Sequence, residues 1–183
     1  MNKLKCSVLL VFIFLGYLST IAQDKYKLAS TSVRFFSSTP VEDIEAENKA
    51  SLGVLDTKTG NFSVHVPITK FKFKSTLMED HFNENYMESE KYPNATFKGV
   101  IKDALNLGKD GVYKVTAEGD FETHGVVQKR QIPITITVAK GVITYASEFK
   151  VKLEDHQIKI PTVVFAKIAE VIDVKLSGEL QKI

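Results

Sequence analysis

The sequence predicts an all-β fold, either a sandwich or a barrel of antiparallel strands. The first observation is an alternation of apolar and polar residues with a period of two, which is typical of strands buried on one face only. The second is a set of glycine-containing turns between these runs, since glycine provides the positive φ that tight hairpins need. The third is the short, regular spacing of the predicted strands.

The N-terminal segment, residues 1–22, is interpreted as a secretory signal peptide. Two lysines precede an apolar run from Val8 to Leu18. Thr20 and Ala22 are small residues at the −3 and −1 positions of a cut before Gln23, as cleavage requires. The apolar run is shorter than the roughly 20 residues of a transmembrane helix. We therefore expect an exported protein, periplasmic or secreted, whose mature domain is residues 23–183.

Removal of the signal peptide changes the chemistry of the chain. It takes away Cys6, the only cysteine, so the core alone must hold the mature domain. The whole chain has 24 basic and 22 acidic residues, and the loss of Lys3 and Lys5 makes the mature domain formally neutral. A neutral domain lacks the positive charge that nucleic acids and anionic membranes attract. We expect no nucleic-acid partner and no integral membrane segment in the mature chain.

The four clearest strands each have one apolar face. Their apolar positions are Tyr113, Val115, Ala117, Gly119 and Phe121; Ile132, Ile134, Ile136 and Val138; Tyr145, Ser147, Phe149, Val151 and Leu153; and Ile172, Val174, Leu176 and Leu180. Turns are predicted at 56–60, 108–111, 124–125 and 140–141. A further strand is predicted within Val41 to Ala50, where Ile44, Ala46, Ala50, Leu52 and Val54 continue an alternation.

Two segments depart from simple alternation. Apolar residues occupy even positions from Phe62 to Ile68 but odd positions at Phe71 and Phe73. The inward face must therefore switch near Pro67, as a bulge or bend allows.

The second departure is Thr76 to Tyr86, which is predicted to be a short helix that closes one end of the β structure. Met78, Phe82 and Tyr86 follow the i, i+4, i+8 spacing of one helix face. Thr76 to Glu79 fits a capping box. A second helical turn is predicted over Phe165 to Ala169.

Apolar aromatic residues on the inward faces are the feature most relevant to function. The candidate barrel-lining, lipid-binding residues are Phe71, Phe73, Phe82, Tyr86, Phe97, Tyr113, Val115, Phe121, Ile134, Ile136, Phe149 and Val151. The residues themselves leave two interpretations open. One is an ordinary packed core, and the other is a barrel of about eight strands with room for one small ligand.

Catalytic motifs are absent from the sequence, which contains neither a G-x-S-x-G nucleophile turn nor a glycine-rich phosphate loop. The four histidines show no metal-ligand spacing. We therefore expect no enzyme activity, no catalytic residues, no metal and no cofactor. A zinc-assisted hydrolase built on His81 and His124 is kept as an alternative.

Two stretches resemble the signatures of the YceI-like family. Residues 81–97, HFNENYMESEKYPNATF, resemble a segment in which a His-containing helix runs into a Tyr-Pro-x-Ala-Thr-Phe strand start. Residues 119–126, GDFETHGV, are similar to a Gly-Asp-Leu-Thr-x-His-Gly-Val turn, and Ile132-Pro133 follows. The resemblance implies an eight-stranded antiparallel, lipocalin-like barrel with one short helix near one end. It also implies a periplasmic or secreted protein that binds a polyisoprenoid chain, such as a quinone tail, inside the barrel.

The sequence also departs from the family pattern. The stretch from Leu153 to Ile158 is longer than the equivalent basic, aromatic segment of many relatives, and Ile160 to Phe165 follows it. This difference is expected to remodel the barrel mouth and leaves the ligand's identity open. The alternative function is a stress-response or interaction module with a packed barrel that acts through its surface. A homodimer formed through a strand edge or the barrel wall also stays open.

Overall fold

Antiparallel strands close into a barrel because the first strand pairs with the last. The computed structural model describes residues 25–161 and 167–183. The predicted signal peptide lies outside these residues. The strands, in chain order, are β1 (Lys25–Ser38), β2 (Asp43–Asn48), β3 (Leu52–Asp56), β4 (Asn61–Pro67), β5 (Phe71–Phe73), β6 (Asn94–Ile101), β7 (Gly111–Thr123), β8 (Val126–Ala139), β9 (Val142–Lys152) and β10 (Val171–Lys182).

Eight of these strands form the closed barrel, in the order β1-β3-β4-β6-β7-β8-β9-β10, with β10 returning to β1. All the pairings are antiparallel. The predicted eight-stranded antiparallel barrel is thus confirmed. At 14 residues, β1 is long enough to pair with β3 through its first half and with β2 through its second. At one end of the barrel, β2 and β5 pair with each other and extend the wall.

Two neighbouring breaks in the wall are joined by one buried side chain. The chain breaks between β2 and β3, and again at the 3₁₀ turn Ile68–Lys70 between β4 and β5. Asn48 is fully buried, and its Nδ2 donates to the Pro67 carbonyl oxygen at 2.7 Å. Its Oδ1 accepts from the Ala50 amide at 2.8 Å. The even-numbered apolar residues from Phe62 to Ile68 and the odd-numbered Phe71 and Phe73 all line the interior, so the predicted change of inward face near Pro67 is confirmed. Asn48 ties the chain together at this point.

The break between β2 and β3 also corrects one expectation. The strand predicted within Val41 to Ala50 is present as β2, but its alternation does not continue into β3. Leu52 and Val54 are 64% and 50% exposed. The irregular residues between the strands reverse the faces, so these two side chains point outward, away from the barrel interior.

The predicted tight turns lie between strands, as expected. Both residues of His124-Gly125 have positive φ, 51° and 72°, and so do both residues of Lys140-Gly141, 51° and 81°. Two residues with positive φ define the type I′ turn, whose twist suits a hairpin.

A short helix covers one end of the barrel, as predicted. Helix α1 (Thr76–His81) continues into a π-helical turn, Phe82–Tyr86. The predicted capping box is wrong, because the helix begins after Ser75 and has no side-chain cap hydrogen bond. Glu79 instead forms an ion pair with Lys72 of β5. The second predicted helical turn, Phe165 to Ala169, lies partly outside the described residues.

The barrel interior is divided into two halves along its axis. The packed end is filled by a cluster of buried residues, namely Tyr26, Leu55, Ile101, Leu107, Val115, Ala117, Ile136, Val138, Tyr145 and Leu180. The other half, the open end, has a ring of buried residues, namely Val33, Ala46, Ile68, Phe71, Met87, Ala95 and Ile158. Helix α1 lies over the open end. In the described ranges, no helix has the length and apolar character needed to cross a membrane.

Candidate ligand cavity

A cavity of about 490 Å³ occupies the open end of the barrel. Its wall includes inward residues of β1, β4, β5, β6, β7, β8, β9 and β10, and α1 contributes Leu77, Met78 and His81. A volume of about 300–1,000 Å³ is usual for pockets that hold one small ligand. The cavity is therefore large enough for a ligand and is part of the barrel interior itself.

Residual exposure of inward side chains shows that this half of the barrel is hollow. Phe97, Phe121 and Phe149 lie on inward faces, yet each is only half-buried. Val115 and Ile136, which lie on inward faces in the packed end, are 7% and 2% exposed. Since all five residues point into the barrel, the difference comes from the cavity that the three phenylalanines face.

Four phenylalanine rings form a cluster near the mouth. Phe35 of β1 lies 5.3 Å from Phe71, 5.7 Å from Phe73 and 5.4 Å from Phe82, measured between ring centroids. Phe82 also contacts Phe73 at 5.0 Å. These separations are within the range of favourable aromatic pairs. The cluster attaches the helical segment to the strands and gives the mouth an aromatic wall.

A second row of rings continues around the wall. Phe62 lies 4.9 Å from Phe97, which is the direct cross-strand partner of Phe121. Phe121 in turn meets Phe149 edge-on at 6.1 Å. Alternation on four different strands thus produces one continuous aromatic surface facing the cavity.

Polar groups in the wall are few, and the described hydrogen bonds use two of them internally. The Ser147 hydroxyl donates to the Pro133 carbonyl oxygen at 2.6 Å. The Ser37 hydroxyl accepts from the Ala169 amide at 2.9 Å. Because these groups bond to the barrel, the surface they leave for a ligand is apolar.

Charged and polar side chains gather at the mouth. Lys167 and Glu42 form an ion pair at 3.5 Å, and both contribute to the cavity rim. His81 lies on the rim and is exposed, and Leu77 beside it is 60% exposed. The cavity therefore has an apolar interior and a polar entrance.

Two hydrogen-bonded histidines lie beside the wall, and one of them contacts Phe121. His156 is fully buried, and its ring meets Phe121 edge-on at 5.2 Å. Its Nδ1 donates to the Val126 carbonyl oxygen at 3.2 Å, and the Nδ1 of His124 donates to the carbonyl oxygen of His156 at 3.1 Å. Burial lowers the pKa of His156 below its ordinary value, which the bond to Val126 only partly offsets. The neutral ring is the form that the fold favours.

The histidines of the alternative metal site have separate environments. His81 lies on the cavity rim, whereas His124 packs against the ring of Tyr92 at 4.6 Å. Within residues 25–161 and 167–183, no three His, Cys, Asp or Glu side chains are placed to hold a metal ion.

Most of the predicted lining residues do lie along the cavity. Those on its wall are Phe71, Phe73, Phe82, Tyr86, Phe97, Phe121, Ile134, Phe149 and Val151. Tyr113, Val115 and Ile136 lie instead in the packed end. Alternation specifies which face a residue is on, but not its depth along the barrel, so it cannot separate these positions from the cavity wall.

Sequence reasoning missed several lining residues, of which Phe35 is the most important. It lies two residues from Val33 and two from Ser37, both of which also line the cavity. The same alternation of β1 could have identified it.

Comparison with known proteins places the fold. A family model described as the YceI-like domain matches residues 25–180. The chain belongs to the YceI-like family. No curated protein matched the sequence.

Solved structures of this family share the barrel at low sequence identity. A polyisoprenoid-binding domain from Saccharophagus degradans, implicated in plant cell wall breakdown, is 13% identical with a TM-score of 0.71, over 88% of this chain and 99% of that one. BcnA of Burkholderia cenocepacia is 16% identical with a TM-score of 0.67, over 82% and 96%. The Campylobacter jejuni YceI protein is 18% identical with a TM-score of 0.57, over 75% and 85%. At these identities the likeness concerns the fold.

Proposed function

We propose that this YceI-like protein is an exported, non-enzymatic carrier that holds an apolar isoprenoid lipid, such as a quinone tail, in its barrel cavity. The observation that carries the proposal is the hollow open end, whose wall is aromatic and aliphatic and whose serines are bonded to the barrel itself. A prenyl chain has no polar group along its length, so such a surface suits it. The polyisoprenoid-binding neighbour with the same barrel supports the choice of ligand.

The free energy gained by burying an apolar chain in the cavity is sufficient for binding. Burial contributes about 0.8 kcal/mol per carbon group, so ten buried carbons contribute about 8 kcal/mol before association costs. The polar end of the lipid would stay at the mouth, beside His81 and the Glu42–Lys167 pair. Periplasmic or secreted location follows from the N-terminal segment and is part of the same proposal.

The alternative function, an interaction module with a filled barrel, needs a packed interior. The half-buried inward rings Phe97, Phe121 and Phe149 favour the carrier over it.

The proposal is tested by calorimetry and thermal unfolding of residues 23–183 with farnesol and, as a control, with glycerol. A ligand at 100 times its dissociation constant adds about 2.7 kcal/mol to the free energy of unfolding. We expect saturable one-to-one binding of farnesol and a rise in the melting temperature. Absence of both, with glycerol and farnesol giving the same curve, would contradict the carrier function.

A further inference from the structure

The barrel is hollow over only part of its length. Four residues lie where the two halves of the barrel meet. They line the cavity and also contact the cluster of the packed end, and they are Phe62, Phe97, Ile134 and Leu176. We call these four residues the floor. Each comes from a different strand, so the floor extends across the barrel interior.

Phe62 is the most informative residue of the floor. Its direct cross-strand partner is Leu55, which is 5% exposed and belongs to the packed end. Its ring contacts Phe97 at a centroid distance of 4.9 Å. On the same strand, Val64 is the next inward residue toward the mouth and faces the cavity. The boundary between hollow and filled interior therefore lies between Val64 and Leu55, at Phe62.

The depth of the cavity follows from the strands that line it. Along β9 and the residue that follows it, the wall runs from Ser147 to Leu153, and on β10 it runs from Ile172 to Leu176. At about 3.3 Å per residue these stretches are about 20 and 13 Å long, and a strand tilt of about 40° leaves about 10–15 Å along the barrel axis.

The length of the enclosed ligand can be compared with that depth. A residue with three main-chain bonds extends about 3.5 Å, so an isoprene repeat with four chain bonds extends about 4.5 Å. A depth of about 10–15 Å then holds about two to three extended repeats.

We propose that the floor acts as a ruler, which limits the enclosed part of the ligand to at most about three isoprene units and leaves any further units outside the mouth. The inference rests on the proposed lipid-binding function and adds the chain-length preference and the residues that set it. Phe62 and Phe97 are specificity-determining residues on this interpretation.

The test measures affinities for prenyl alcohols of increasing length, namely geraniol, farnesol, geranylgeraniol and solanesol, delivered from cyclodextrin to residues 23–183. Each added unit that is enclosed buries five more carbons and should raise affinity by about tenfold or more. We expect the rise to stop no later than farnesol, with geranylgeraniol and solanesol binding within about threefold of the plateau. A wild-type affinity that keeps rising to solanesol would overturn the ruler while leaving the carrier function intact. No binding of any alcohol would overturn both.

Two variants on β4 move the floor in opposite directions. Phe62→Ala removes six ring carbons at the floor, about the size of one isoprene unit, and should extend the rise in affinity by one unit. Val64→Phe fills the space above the floor and should end the rise one unit earlier. Val64→Phe keeps the test valid if Phe62→Ala does not fold. Phe36→Ala is the control, because Phe36 is 37% exposed on the outer face of β1. Folded variants whose plateaus match the wild type would also overturn the ruler.

Discussion

Replacing Phe149 with aspartate is expected to abolish lipid uptake while the barrel still folds. The ring of Phe149 faces the cavity and is half-buried, so in the empty protein an aspartate at this position can be reached by water. When a prenyl chain fills the cavity, that water must leave. The substitution therefore acts mainly on the liganded state.

The magnitude has two parts. Loss of the buried aromatic contact removes about 1.5–3 kcal/mol. Desolvation of an ionised carboxylate by the lipid costs several kcal/mol more. A total of at least about 4 kcal/mol corresponds to a loss of affinity of about a thousandfold. Phe149→Ala loses only the first part, which is about 10- to 150-fold.

The assay is calorimetric titration with farnesol, with circular dichroism to show that each variant is folded. Lys150→Glu is the matched control, because Lys150 is the next residue of β9, points outward and pairs with Asp173 on the barrel surface. It should change affinity by less than about threefold. A folded Phe149→Asp protein that keeps wild-type affinity would show that the cavity wall has been assigned wrongly.

Three further predictions concern stability. Gly125→Ala should destabilise the barrel more than Gly141→Ala. Both glycines have positive φ, so backbone strain costs either variant about 1–2 kcal/mol, but only at Gly125 would the added Cβ also lie 2.5 Å from the Tyr92 ring, since nothing lies within 4 Å at Gly141. Equal melting temperatures of the two variants would refute the contact with Tyr92. Asn48→Ala should lower the free energy of unfolding in urea by about 2–4 kcal/mol, because it removes the side-chain hydrogen bonds that join the two breaks in the wall. A decrease of less than about 0.5 kcal/mol would contradict that role of Asn48. The pKa of His156 is lowered in the folded protein, so the unfolded chain binds the proton more readily, and the free energy of unfolding should fall as the pH falls below the ordinary pKa of 6.5. His156→Gln should therefore weaken the dependence of the urea midpoint on pH between about pH 7 and 5, and an unchanged slope would refute the role given to His156.

Much of the fold could be predicted from the sequence because one face of each strand is buried. The alternation in β7, β8, β9 and β10 identified the inward residues correctly. The change of face near Pro67 also followed from the pattern, since odd and even apolar positions cannot share one side of a strand.

Other features depend on contacts between distant segments, which a local pattern does not contain. The outward position of Leu52 and Val54 depends on the break between β2 and β3, which Asn48 stabilises through Pro67, 19 residues away. The start of α1 after Ser75 leaves Glu79 free of the predicted cap and paired with Lys72 instead.

The cavity itself was the least predictable feature. Val115 and Phe121 lie on the same face of β7, yet one belongs to the packed end and the other faces the cavity. The difference depends on which side chains from other strands meet at each level of the barrel. Sequence patterns give the inward face, and packing across the barrel determines whether that face meets another side chain or empty space.

Native mass spectrometry of residues 23–183, purified from its own host without detergent, tests the carrier function most directly. We expect a protein mass with one bound molecule, which denaturation releases as a prenyl lipid. A clean apoprotein mass that stays clean after quinone is added would contradict it, and the function would then have to lie on the barrel surface.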